Sequence, residues 1–289
     1  MGSLLITIQM YMEYCPYGDL GKILEHHRRI NQHVPEPLIW HIFESLVNAG
    51  LFMEQGGVDQ PRAGWTQILH RDFKPQNAFL GLHPDPASGR SDWAAYPTIK
   101  LGDYGLAVEI LPQDDRNPFD FVDAGTLGYQ APEQIDDPDD DNPPPLTAKT
   151  NVFGVGITVM QLMDPFHHVG VQDDWAAARA GSRDPADFPH LNAQAAANYS
   201  RELLNRVYSC IEYGQNDRPS FSHVRDAIRY YTQGQGGSPQ NDRAQGMRAN
   251  TVQQTVNLGL APDMYAHGRP LRQVNIPVLP VLPLDFDSD

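Results

Sequence analysis

A short run holds the side chains best suited to chemistry: His70-Arg71-Asp72-Phe73-Lys74-Pro75-Gln76-Asn77 places a Lys two residues after an Asp and an Asn five residues after it. A carboxylate in such a setting can accept the proton of an attacking hydroxyl. An amide oxygen nearby can hold a metal ion that neutralises phosphate charge. A second carboxylate, Asp103, ends the run Thr98-Ile99-Lys100-Leu101-Gly102, which reads as a strand. A carboxylate there can bridge phosphates through Mg2+, a hard cation that takes oxygen ligands. A run this short arises by chance, so its weight depends on what accompanies it.

Three patterns occur in order: His70-Arg71-Asp72 with Lys74 and Asn77, then Asp103-Tyr104-Gly105, then Ala131-Pro132-Glu133. Together they resemble the H-R-D, D-F-G and A-P-E signatures of eukaryotic protein kinases of the Ser/Thr class. The resemblance implies phosphoryl transfer from Mg2+-ATP to a Ser or Thr hydroxyl of a protein. Asp72 would be the base and Lys74 would touch the transferring group. Asn77 and Asp103 would be metal ligands, and Thr126 would bond toward Asp72 and Lys74. The stretch Met12-Glu13-Tyr14-Cys15-Pro16-Tyr17-Gly18-Asp19-Leu20 is most similar to the hinge of NimA-like kinases. It implies that Glu13 and Cys15 lie at the nucleotide edge and that Phe79 packs beneath adenine. ATP and Mg2+ are the expected cofactors.

Departures from the family pattern are as informative. No lysine and no G-x-G-x-x-G precede Glu13, and the first lysine is Lys22. The expectation is therefore a C-terminal lobe with its N-terminal lobe absent, a truncated enzyme of doubtful stand-alone activity. The rival is a non-catalytic kinase-like scaffold. Phe73 replaces a Leu, Tyr104 replaces a Phe, and Asn151 stands where the family has an Asp that anchors the catalytic loop. The amide keeps an acceptor oxygen but loses the charge, so that loop is expected to be held less firmly. Residues 106–125, the counterpart of the activation segment, contain no Ser, Thr or Tyr, so phosphorylation within them cannot order the loop. Asp114, Asp115, Asp120 and Asp123 are candidate carboxylate partners for Arg71, although a solvated acidic face is the plainer reading of most of them.

The elements that must position these groups follow from periodicity. Residues 37–54 and 150–163 predict two helices, the second apolar nearly all round and therefore buried. Two more are marked by Leu203, Leu204, Val207 and Ile211, and by Phe221, Val224, Ile228 and Tyr231. Between them lies Arg218, the expected buried partner of Glu133. Residues 56–67, 82–97 and 136–145 read as loop insertions. The expected fold is α+β and mainly α: a kinase-like C-terminal lobe with a buried central helix and short strands at the catalytic loop. The expected division is 1–20 as residual strand and hinge, 21–232 as the lobe, and 233–289 as a low-complexity, disordered tail.

The 289 residues carry a net charge of −15, which argues against nucleic-acid or anionic-membrane partners. No apolar run approaches the roughly 20 residues of a membrane span, and no signal peptide is evident. Cys15 and Cys210 lie far apart, with neither a disulfide framework nor a zinc knuckle encoded. A reduced intracellular compartment, cytoplasmic or nuclear, is expected. The proline-rich segment 277–283 is a minority candidate for an SH3-like partner.

Overall fold

The computed structural model describes residues 12–82, 93, 96–111, 113–135, 143–167 and 190–232. Its first helix, α1 (Leu20–Ile30), is one the periodicity reading passed over. The Asp19 side chain accepts from the Lys22 amide at 3.2 Å, capping the first turn. Asn31, in the left-handed conformation, ends it. Leu20, Ile23, Leu24 and His27 are buried at helical spacing.

Helix α2 (Glu36–Gln55) opens with Pro in its first turn and agrees with the prediction over 37–54. Helix α3 (Ala148–Met163), capped by Thr147, is buried on almost every side. It packs against α2 and against α5 (Arg201–Cys210), while α6 (Phe221–Thr232) packs against α2. A single turn, α4 (Ala193–Ala196), precedes α5. These contacts bury an apolar interior that includes Ile39, Phe43, Leu46, Phe153, Val159, Leu203 and Ile228, and removal of such surface from water supplies most of the driving force.

Two antiparallel ribbons sit beside this helical body. Strand β1 (Gln67–Leu69) pairs with β4 (Val108–Ile110), and β2 (Ala78–Leu80) pairs with β3 (Ile99–Leu101), with Ala78 opposite Leu101 and Leu80 opposite Ile99. The catalytic loop thus leaves β1 and returns as β2, and β3 delivers Asp103. The mainly helical α+β expectation agrees with this architecture.

The 56–67 insertion is tied down at Trp65 and, from α6, by Arg225, which bonds the Val58 carbonyl. Trp65 donates its indole N–H to the Met53 carbonyl at 3.0 Å and packs edge-on against Phe52. Readings made on residues 1–11, most of 83–95, 136–142, 168–189 and the 233–289 tail with its proline-rich segment lie outside the described residues.

Candidate active site

Asp72, Lys74, Asn77 and Thr126 meet in one hydrogen-bonded group. Lys74 Nζ lies 2.8 Å from Asp72 Oδ2 and 2.8 Å from Thr126 Oγ1. The Thr126 hydroxyl donates to Asp72 Oδ1 at 2.6 Å. Asn77 donates its amide to the Asp72 carbonyl at 2.8 Å and to Asp72 Oδ2 at 2.9 Å. Burial pushes the Asp72 pKa upward, but the hydrogen bonds from Lys74, Thr126 and Asn77 and the Lys74 charge outweigh it. The carboxyl is held below its ordinary value and stays ionised at neutral pH.

The loop carrying Asp72 is fixed from below. Phe73 lies on α3 at Gly154, where a Cβ would come within 2.7 Å of the Phe73 side chain, so only glycine lets the loop approach. Asn151 accepts from the His70 amide at 2.9 Å and donates to the Ile68 carbonyl at 3.0 Å. The expectation of a weaker anchor considered only the lost charge. The amide also gains a donor bond that a carboxylate cannot make. His70 contributes more than its place in the motif suggested. Its Nδ1 accepts from the Asp72 amide at 3.3 Å, which assigns the proton to Nε2, 3.0 Å from the Gly102 carbonyl. Burial lowers the His70 pKa, in keeping with that neutral ring. One imidazole thereby links the catalytic loop to the strand that delivers Asp103.

Asp103 is exposed and left-handed, at φ 58°, directly after β3. Its carboxylate makes no hydrogen bond among the described residues, and neither does the Asn77 side-chain oxygen. The Gly102 amide donates to the Asn77 carbonyl at 2.9 Å, which sets the two backbones side by side. Two such oxygen donors, one just before β2 and one two residues after β3, suit a hard divalent cation.

Phe79 is half-buried, and its ring lies against Gly102. The hinge-like stretch joins the same ribbon: the Tyr17 amide donates to Leu80 at 3.2 Å, and the Leu80 amide to Gly18 at 2.8 Å. Glu13 forms an ion pair with Lys100, opposite Phe79 in the register. Burial, then the Glu13 charge, raise the thiol pKa of half-buried Cys15 against the opposing Lys100 charge. Glu13, Cys15, Phe79 and Asp103 thus gather around the β2–β3 ribbon, while no hydrogen bond joins Glu13 or Cys15 to the Asp72 group.

Further from the chemistry, Glu133 and Arg218 form the expected buried pair, at 2.6 and 2.8 Å. Arg71 reaches the backbone of the 106–125 segment. Its guanidinium donates to the Leu106 carbonyl at 2.7 Å and the Phe121 carbonyl at 3.0 Å, while Asp114 pairs with Arg116. A residue that sequence reasoning missed is Gln134, whose buried amide bonds to Arg71, Ala124 and Ala131. Its position directly after Ala-Pro-Glu was the only signal available.

The protein kinase domain family matches residues 6–228. The chain is 30% identical over 236 residues to the G2-specific protein kinase nim-1 of Neurospora crassa, covering 73% of this chain and 23% of that protein. It is 28% identical to the G2-specific protein kinase nimA of Emericella nidulans, covering 73% and 29% respectively. Against the human serine/threonine-protein kinase Nek2 it is 29% identical, covering 75% and 42%. The chain therefore spans less than half the length of each of these relatives. It belongs to the protein kinase domain family.

The match corrects one expectation. A lone C-terminal lobe was read from the lack of an early lysine and glycine-rich loop, yet the family match begins at residue 6 and takes in the N-terminal stretch. Residues 12–20 are accordingly part of the kinase domain. The backbone hydrogen bonds from the Tyr17 amide to Leu80 and from the Leu80 amide to Gly18 are the physical form of that continuity. Reasoning from missing motifs underweighted the residues that are present.

Proposed function

We propose that this chain is the catalytic domain of a protein serine/threonine kinase that transfers a phosphoryl group from Mg2+-ATP to a protein hydroxyl. The observation that carries the reading is the ionised Asp72 carboxylate held by Lys74, Thr126 and Asn77. Its side chain is only 7% exposed, yet the group opens onto a cavity of about 570 Å3 lined by Leu24, Arg28, Lys74, Asn77, Thr126 and Tyr129. Asp72 is not itself in that lining, and a Ser or Thr hydroxyl brought past Lys74 and Thr126 would meet it as proton acceptor. Lys74 supplies positive charge beside it, and Thr126 keeps both in register.

Asn77 and Asp103 are the residues that would hold Mg2+, and Glu13, Cys15 and Phe79 those that would border the nucleotide. When bound, Mg2+-ATP supplies the phosphoryl group and charge neutralisation on its oxygens. An intracellular location, in cytoplasm or nucleus, accords with two free cysteines, and among the described residues no helix is long and apolar enough to cross a membrane. The domain division that goes with this reading keeps the strand and hinge of 1–20 with 21–232 in one kinase domain, followed in sequence by 233–289.

One observation favours the rival, a kinase-like scaffold: the matched segment contains no lysine before Lys22, so none from that stretch can anchor phosphates. Calorimetry with Mg2+-ATP separates the two. The enzyme reading expects binding that Asp103→Ala abolishes, together with phosphate transfer to a Ser/Thr peptide. A folded sample that binds no Mg2+-ATP overturns it in favour of the scaffold.

A further inference from the structure

We propose that Gln134 is a positioning residue that locks the activation segment onto the catalytic loop, so that this kinase reaches its working geometry without a phosphate in that segment. The inference rests on the kinase reading above and concerns how the same site is held.

The starting point is chemical. Residues 106–125 offer no hydroxyl to phosphorylate. Arg71, the cation a phosphate would engage, is already committed to the Leu106 and Phe121 carbonyls. Those two bonds hold part of the segment, and the stretch next to the catalytic loop is held by uncharged bonds that converge on one buried side chain. Gln134, 2% exposed, donates through Nε2 to the Arg71 carbonyl at 3.0 Å and to the Ala124 carbonyl at 3.0 Å. Its Oε1 accepts from the Ala131 amide at 3.0 Å, and its own carbonyl accepts from the Asp123 amide at 2.7 Å. Both N–H groups of the amide are therefore used, each on a different segment, and the oxygen is used on a third.

Placement gives those bonds their consequence. Arg71 immediately precedes Asp72 and has φ 64°, a conformation that needs outside support. Ala124 lies two residues before Thr126, which hydrogen-bonds Asp72. Gly125, between them, has φ 120°, and a Cβ there would sit 2.4 Å from the Arg71 carbonyl. The segment therefore closes directly on the catalytic loop. Upstream, buried Phe121 packs with Leu69 and Leu146, with the Arg71 and Arg116 guanidinium groups 5.8 and 5.2 Å from its ring centroid. Asn117 bonds the Leu146 backbone through both ends of its amide, at 2.9 and 2.8 Å.

The test uses the full chain, dephosphorylated and confirmed free of phosphate by mass spectrometry. Hydrogen exchange is read on residues 106–125, and phosphotransfer is measured in parallel. The discriminating variant is Gln134→Glu, which keeps the acceptor for Ala131 but loses both donors. Gln134→Leu loses all three bonds. The expected result is a protected segment in the unphosphorylated parent. In Gln134→Glu, exchange should be about ten-fold or more faster, since the part-buried Arg71 carbonyl loses its Gln134 donor and Ala124 keeps only the longer bond from Gln130 at 3.4 Å, while α3 stays protected. The same variant should lower kcat by about ten-fold or more, with KM for Mg2+-ATP little changed.

An unprotected segment in the unphosphorylated parent overturns the proposal. So does a Gln134→Glu variant with parental exchange and kcat, or activity that requires phosphate on Thr126 or Tyr129. If Gln134→Leu fails to fold, Gln134→Glu decides alone. If the parent transfers no phosphate, the kinase reading fails by itself and the exchange comparison still decides the locking role.

Discussion

Two carboxylates, Asp72 and Glu133, each sit beside a cation in nearly dry surroundings, and they have opposite fates. Glu133 meets Arg218 through two parallel bonds and takes further ones from Thr150 at 2.8 Å and Gln215 at 3.1 Å. Arg218 spends its other donors on the carbonyls of Glu212, Tyr213 and Lys149, so all five of its N–H groups are used. Asp72 has a single ammonium at 2.8 Å, a hydroxyl and an amide, and its Lys74 partner is 21% exposed at the edge of a cavity. The ingredients are alike. Saturation makes the first pair a structural joint, and incomplete enclosure leaves the second open to chemistry.

The largest effect should come from breaking the saturated pair. Arg218→Ala leaves Glu133 buried without its charge partner, which costs about 3–5 kcal/mol. Urea unfolding at neutral pH is the measurement. The pair also has a pH signature. Burial raises the Glu133 pKa, but the Arg218 charge and hydrogen bonds overcome this and hold it below the ordinary 4.5. Its stabilisation is therefore present above the unfolded value and is lost as pH falls through the lower folded value. In Arg218→Ala only burial remains strong, the folded value rises, and that acid-side loss should vanish. An Arg218→Ala protein as stable as the parent would erase the contrast drawn here.

Asp72→Asn should separate function from stability. On the proposed kinase reading, loss of the base should slow transfer by about 10²–10⁴-fold, while the amide can still accept from Thr126. Thermal unfolding should shift far less than in Arg218→Ala. Because the Asp72 pKa lies below its ordinary 3.8, its contribution to the rate should persist as pH is lowered and fade only below that value. An equal loss of stability in the two variants would make Asp72 a second structural joint.

Much of this arrangement was legible before any coordinates, for a physical reason. Asp72, Lys74 and Asn77 are local in sequence, so a short loop fixes their separation. Helices α2, α3, α5 and α6 carry enough apolar periodicity to show themselves. Helix α1 did not, because its buried face includes His26 and His27, which read as polar. Gln134 was illegible because its three bonds reach the catalytic loop, the activation segment and its own turn, and a glutamine announces none of these. Of the acids weighed as partners for Arg71 or as a solvated face, Asp114 pairs with its sequence neighbour Arg116, while the Arg71 guanidinium meets the Leu106 and Phe121 carbonyls.

Asn151 sharpens the comparison from the side of support. It is 1% exposed and uses both ends of its amide on the backbone flanking the catalytic loop. Asn151→Asp would restore the family's residue, yet it should destabilise by about 1–3 kcal/mol, because the Ile68 carbonyl loses its donor. The new charge would also be buried without a cation. Denaturation midpoints of the parent and the variant decide this, and a gain in stability would show that charge outweighs the second bond.

The smallest effect belongs to Lys22 and Glu25, paired at 3.1 Å on α1 with side chains 52% and 64% exposed. The distance resembles those in the other two pairs, so contact alone would rank all three alike. Exposure says otherwise, because water and salt screen the charges and two long side chains must be ordered to meet. Lys22→Ala should change stability by about 0.5 kcal/mol or less, read from the same urea curves. Added salt should abolish that difference while leaving the Arg218→Ala deficit in place, since the buried pair is out of reach of the ions. A Lys22→Ala loss approaching that of Arg218→Ala would mean that burial is not what grades these three pairs.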